Sequence, residues 1–126
     1  PKLRGGATVL VVDDEEIVRN VACRILEREG FRVLTAEDGQ HAVEVFAAHA
    51  DDVALVVLDM AMPRMNGEEA LRELRKLRPG VRVVLSSGYD EQRVTDSTGA
   101  AEQAGFVQKP YQVTAFLEAI YQALRP

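Results

Sequence analysis

Val53-Ala54-Leu55-Val56-Val57-Leu58-Asp59 is an unbroken apolar run that closes on a carboxylate. Nothing in it alternates with polar residues, so as a strand it is apolar on both sides. Such a strand is buried on both faces, as in a parallel sheet covered by helices. Working outward, the same pattern occurs in Ala7 to Val12, where Thr8-Val9-Leu10-Val11-Val12 leads into Asp13, Asp14 and Glu15. Three further runs, Phe31 to Thr35, Val81 to Leu85 and Gly105 to Gln108, complete a set of strands.

The segments between them have helical spacing. Ile17, Val18, Val21, Ala22, Ile25 and Leu26 mark one apolar face, and Gly30 stops that helix. On this face count Cys23 lies opposite the stripe of Ile17, Val21 and Ile25, so it is expected to be partly exposed and unpaired. Ala42, Val43 and Phe46 mark a second helix. Ala70, Leu71, Leu74 and Leu77 mark a third, which opens at Asn66 with Glu69 three residues on, a capping-box pattern, and stops at Pro79-Gly80. Asp90 to Ala104 reads as a fourth, weakened by Thr95-Asp96-Ser97-Thr98-Gly99. Val113, Phe116, Leu117, Ile120 and Leu124 mark the last. The order is βαβαβαβαβα, which gives an open, doubly wound α/β sheet with right-handed crossovers.

With 126 residues, 47% hydrophobic and 28% charged, the chain fits one ordinary globular domain, residues 1–126 with a core of about 7–124. A net charge of −5 argues against a general nucleic-acid grip, which needs a basic surface. A single cysteine excludes an internal disulfide and fits a reducing, cytoplasmic setting. No apolar run approaches the length of a membrane span, so no membrane contact is expected.

In open α/β sheets ligands bind outside the carboxyl ends of the strands. Those ends carry Asp13-Asp14-Glu15, Asp59, Ser86-Ser87-Gly88 and Lys109-Pro110. Three carboxylates converging on a partly buried point repel one another. A hard divalent cation, Mg²⁺ or Mn²⁺, makes them tolerable. His41 and His49 fall on a helical stretch without zinc-site spacing. Each residue alone has an ordinary explanation: an aspartate after a strand is usually a turn or cap residue, and a lysine a solvated charge. Together, a metal, an ammonium, a hydroxyl and the Gly88 N–H suit three anionic oxygens of a phosphoryl group. A carboxylate can itself be the nucleophile, and Asp59, which closes the central buried strand, is the candidate.

Four motifs in order carry a family resemblance: Val11-Val12-Asp13-Asp14-Glu15, Leu58-Asp59-Met60-Ala61-Met62-Pro63-Arg64-Met65-Asn66-Gly67, Ser86-Ser87-Gly88-Tyr89 and Phe106-Val107-Gln108-Lys109-Pro110-Tyr111. From about Ala7 to Leu124 the chain resembles the receiver domains of bacterial two-component response regulators and hybrid histidine kinases. The resemblance implies a flavodoxin-like (βα)5 sheet of order 2-1-3-4-5. It implies Asp59 as phosphoacceptor, with metal held by Asp13, Asp14, Asp59 and the Ala61 carbonyl. It implies that Lys109, Ser87 and the backbone of Met60, Ala61 and Gly88 contact the phosphoryl group. Ser87 and Phe106 become the switch pair, where Thr and Tyr are commoner, and Lys109-Pro110 a cis bond.

The implied partners are a histidine kinase or histidine phosphotransfer domain, and a downstream protein meeting the fourth helix, fifth strand and fifth helix. The domain is expected to be a monomer or weak dimer and, in isolation, to be no enzyme beyond catalysing its own phosphorylation and slow hydrolysis. An aspartyl-phosphate hydrolase would place a second Asp two residues after the nucleophile, where this chain has Ala61. A phosphate-independent binding module is disfavoured by the intact Asp13, Asp14, Asp59, Ser87 and Lys109. A flavin-binding domain is disfavoured because no phosphate-cradling loop follows the first strand. Pro1 in place of Met suggests an excised piece. Gly5-Gly6 and Ser87-Gly88-Tyr89 lean toward the receiver of a hybrid histidine kinase over a stand-alone regulator.

Overall fold

The computed structural model describes residues 6–62, 65–88 and 105–125. Five parallel strands form one sheet: β1 (Thr8–Val12), β2 (Arg32–Ala36), β3 (Val53–Asp59), β4 (Val83–Ser87) and β5 (Gly105–Gln108). Their order is β2-β1-β3-β4-β5, as expected, so the chain reverses direction across the sheet between β1 and β3. Among the described residues the helices are α1 (Glu16–Arg28), α2 (Gly39–Ala48), α3 (Gly67–Leu77) and α4 (Val113–Ala123). The helix expected over Asp90 to Ala104 lies outside the described residues.

The central strands are apolar on both sides because both sides are covered. Val9, Val11, Leu55, Val57 and Val84 point to the layer holding Ala22, Ile25 and Leu26 of α1 and Phe116 and Ile120 of α4. Leu10, Val12, Val56, Leu58 and Leu85 point to the layer holding Ala42 and Phe46 of α2 and Ala70, Leu71 and Leu74 of α3. Removing this apolar surface from water is the main stabilising term of such a fold.

Local signals end the elements where expected. Gly30 adopts φ 93°, which favours glycine, and its N–H donates to the Glu27 carbonyl at 3.0 Å. Asn66 and Glu69 form the reciprocal capping box. Arg78, just beyond α3, donates to the carbonyls of Ala50 and Val53 and lies over the Phe46 ring, tying α3 to the start of β3.

One helix face differs from expectation. Ile17 is 80% exposed and Val21 41%, so neither belongs to the buried stripe of α1. The sheet receives Ala22, Ile25 and Leu26, while Ile17 and Val21 lie a residue earlier than the buried line and are rotated about 100° out of it. Six apolar positions cover a wider arc than one sheet contact can bury. Cys23 is half-buried and unpaired, flanking the contact. Burial, with the Glu27 charge adding, raises its thiol pKa against the weaker opposing pull of Arg19.

Candidate phosphoacceptor site

β1 and β3 are neighbours in the ladder, with Val12 opposite Leu58, so the residues just after them, Asp13 and Asp59, end up side by side. Asp59 in turn pairs with Ser86 of β4. The parallel register therefore gathers residues far apart in sequence at one edge. Asp13 and Asp59 are buried, at 1% and 2% exposure, whereas Asp14 is exposed. Carboxylate oxygens of Asp13, Asp14 and Asp59 lie within 4.8 Å of one another, a group able to hold a metal ion. No histidine belongs to that group. His41 sits in the first turn of α2, where its Nδ1 accepts the Glu37 N–H.

Lys109 follows β5 and reaches into this cluster. Its Nζ lies 2.8 Å from Asp13 Oδ2, 3.3 Å from Asp59 Oδ1 and 3.8 Å from Glu15 Oε1. Its backbone N–H donates to the Ser87 carbonyl at 2.8 Å, so the residue is anchored by the ladder at its base and by the carboxylates at its tip. The Lys109-Pro110 bond is cis, as expected. The Asp13 loop is braced twice: Asp13 Oδ1 accepts the Glu15 N–H at 2.9 Å, and the Asp13 carbonyl accepts from Arg19 of α1 at 2.8 Å.

The electrostatics follow from burial and crowding. Burial first, then the Asp13 charge, pushes the Asp59 pKa up to about 6, against the opposing pull of Lys109 and the Ala61 N–H. Burial acts to lower the Lys109 pKa, but its bond to Asp13 and the charges of Asp59 and Asp13 outweigh that and raise it. One lysine thus offsets part of the repulsion and leaves the rest in place.

Asp59 shows where a ligand is wanted. Its Oδ1 accepts the Ala61 N–H at 3.2 Å and faces Lys109, while its Oδ2 is buried with no hydrogen-bond partner. A buried carboxylate oxygen without a partner is costly. Oxygen donors from three carboxylates, one of them unpartnered, fit a hard cation such as Mg²⁺. Ser87 is buried at the end of β4 and Gly88 is exposed just beyond it. The Met60 N–H donates to the Ser86 carbonyl at 3.0 Å and the Ala61 N–H to Asp59, so both of these expected phosphoryl donors are engaged here. Phe106 is half-buried and packs on the α2–α3 side of the sheet.

Gly67 explains why the loop after Asp59 can fold back onto it. A Cβ there would lie 2.6 Å from Met60 Cα and 2.7 Å from the Asp59 carbonyl oxygen, both backbone atoms. At Gly39, which opens α2, an added Cβ would likewise run into the Met65 carbonyl oxygen.

The family model described as "Response regulator receiver domain" matches residues 9–121. The chain belongs to the response regulator receiver family. Receiver domains are phosphoacceptors in two-component signalling rather than conventional enzymes, and that role is this domain's. The chain is 36% identical over 122 residues to the sensor kinase CckA of Brucella abortus, covering 97% of this chain and 13% of that kinase. It is 35% identical over 117 residues to the chemotaxis protein CheY of Bacillus subtilis, covering 92% of this chain and 96% of CheY. Among solved structures it resembles the Borrelia burgdorferi CheX–CheY–BeF3–Mg²⁺ complex, with a TM-score of 0.88, 26% identity, and coverage of 95% and 90% of the two chains.

Proposed function

We propose that Asp59 takes its phosphoryl group from a phosphohistidine on a histidine kinase or histidine phosphotransfer domain, with Mg²⁺, or Mn²⁺ in its place, held by Asp13, Asp14, Asp59 and the Ala61 carbonyl. The observation that carries this reading is the buried, unpartnered Oδ2 of Asp59 beside the Lys109 ammonium. With its pKa near 6, Asp59 is mainly ionised at neutral pH and able to act as a nucleophile. An Asp59 oxygen forms the new bond to phosphorus as the phosphorus–nitrogen bond breaks, and the imidazole leaves with its electron pair and takes a proton from water. Lys109 and the Ser87 hydroxyl stabilise charge on the phosphoryl oxygens, joined by the N–H groups of Ala61 and Gly88. Mg²⁺, when bound, supplies the positive charge that offsets the carboxylates and these oxygens. The domain catalyses this step and the later attack of water itself, with Ala61 offering no acid or base to hasten hydrolysis.

The switch runs through Ser87 and Phe106 to the surface of β5, α4 and the segment from Asp90 to Ala104, a population shift between two packings. The setting is cytoplasmic and the domain a monomer or weak dimer. Relatives of similar identity include both a short chemotaxis regulator and a large sensor kinase; Gly5-Gly6 and Ser87-Gly88-Tyr89 favour the hybrid-kinase setting. The test is labelling by acetyl phosphate with Mg²⁺, followed by mapping of the acid-labile adduct. Native protein is expected to carry it on Asp59 and Asp59→Asn to carry none; full labelling of Asp59→Asn would overturn the assignment.

A further inference from the structure

Ser86 is one of two serines that follow the apolar run of β4, and it is fully buried. It pairs with Asp59 in the parallel ladder, which places the two side chains on the same face of the sheet. A buried hydroxyl needs a partner, and Ser86 finds it 2.6 Å away in the Tyr111 hydroxyl. Tyr111 stands two residues after Lys109, with its ring 4.7 Å from that of the fully buried Phe116 on α4. The ring is thus anchored to a helix while the hydroxyl is tied to β4.

The two ends of this bond adjoin the reacting groups. Ser86 is joined to Ser87, pairs with Asp59, and accepts the Met60 N–H at 3.0 Å. Tyr111 continues the turn that carries Lys109, whose own N–H holds the Ser87 carbonyl at 2.8 Å. Backbone bonds fix the strands and reach as far as the Lys109 N–H, but Tyr111 stands beyond that last bond and past the Lys109-Pro110 turn, and the Tyr111–Ser86 bond is a side-chain tie from the far side of that turn to β4. Burial, with the Asp13 charge adding, pushes the Tyr111 pKa up to about 12 against the effect of the Ser86 bond, so the hydroxyl keeps its proton at neutral pH.

We infer that Tyr111, acting through Ser86, is a positioning residue for phosphoryl transfer: the bond between their hydroxyls sets where the Lys109 ammonium stands relative to Asp59 and Ser87. Neither hydroxyl touches the phosphoryl group in this role. The inference rests on Asp59 being the acceptor and adds a determinant of its rate.

The experiment compares the native chain with Tyr111→Phe, Ser86→Ala and the double variant, phosphorylated by saturating acetyl phosphate in excess Mg²⁺. Each single variant is expected to lower the phosphorylation rate constant about three- to tenfold, the worth of one hydrogen bond read out in the rate. The double variant is expected to fall no further than the singles, because both remove one bond. Mg²⁺ affinity, measured on the same proteins, is expected to stay within about twofold, since neither hydroxyl is a ligand. Native rates in both singles, even with lowered thermal stability, would show the bond to be structural alone and overturn the inference. So would a double variant whose loss is the product of the two single losses. If the native chain itself carries no label on Asp59, it is the acceptor assignment that falls, and the two failures are thereby told apart.

Discussion

Replacing Asp59 by Asn should stabilise the metal-free protein at neutral pH, although it removes the reactive group. The carboxyl is raised from its ordinary 3.8 to about 6, chiefly by burial and by Asp13. The folded state therefore binds this proton more tightly than the unfolded chain does. The corresponding stability is fully present below about pH 4 and is lost as pH rises through 6. A difference of about two pKa units at 1.36 kcal/mol each gives about 3 kcal/mol held against the native fold above pH 7. Asn has nearly the shape of the protonated acid and carries no charge, so it should recover much of that amount. Lys109 keeps its 2.8 Å contact with Asp13, so the substitution does not strand the ammonium.

Urea unfolding of native and Asp59→Asn protein, in chelator, measures the difference directly. At about pH 7.5 the variant should be more stable by about 2–3 kcal/mol, and near pH 4 the gap should close. Titrations of groups remote from Asp59 cancel in the difference, which leaves the contribution of Asp59 and of its interactions with the charges that face it. Excess Mg²⁺ should then stabilise the native protein more than the variant, because binding to the folded state adds stability. A variant no more stable than native at pH 7.5 in chelator, or a gap that ignores pH, would refute the claim that Asp59 is held under electrostatic strain.

Two further substitutions probe other parts of the site. Lys109→Ala should slow phosphorylation by acetyl phosphate by about a hundredfold, the usual effect of losing one preorganised charge-stabilising donor; a rate near native would remove the ammonium from the reaction. Gly67→Ala should lower unfolding stability by about 1–3 kcal/mol, since the added methyl meets backbone at 2.6 Å and 2.7 Å that no rotamer can relieve; unchanged urea unfolding would show that the loop after Asp59 shifts without cost.

The sheet was legible because β1, β3 and β4 are interior strands, and burial on both faces writes an unbroken apolar run; β2 and β5 are the sheet's edges. Asp13, Asp59 and Ser87 were legible for the same reason, since each closes or follows such a run, whereas Lys109 follows an edge strand and was legible through its motif. Boundaries were less so. Val81 is buried and apolar, yet its N–H closes a turn on the Arg78 carbonyl at 3.0 Å, and β4 begins two residues later at Val83. Ser86 and Ser87 belong to β4 through ladder pairing that hydropathy does not reveal. On α1, Ile17 and Val21 read as core because apolarity marks what can be buried, while the sheet contact selects a narrower arc. Asp13 and Asp14 stand together in the sequence, and hydropathy does not show that the first is buried against Lys109 while the second is exposed. The Tyr111–Ser86 tie had one sequence signal, a serine inside a buried strand, and that signal does not name the partner.

The arrangement also limits how a change at Asp59 can leave the site. The backbone of Lys109 is bonded to Ser87, and that of Ser86 to Met60, so the ladder at this edge couples β3, β4 and β5 rigidly. What can respond without breaking those bonds is side chains. Lys109 divides itself between Asp13 and Asp59, and phosphorylation adds negative charge and acceptor oxygens at the second. The ammonium should therefore move toward Asp59, loosening its hold on Asp13, while the Ser87 hydroxyl turns toward the new oxygens. Ser87 pairs with Gln108, and Leu85 with Phe106, so the side chains of β5 lie next in line. Phe106 is half-buried, which leaves it room to rotate, whereas Val107 is buried in the opposite layer. A signal carried by side-chain repacking on a fixed ladder should then leave through Phe106 at the β5 edge of the sheet, toward the surface proposed for β5, α4 and the segment from Asp90 to Ala104.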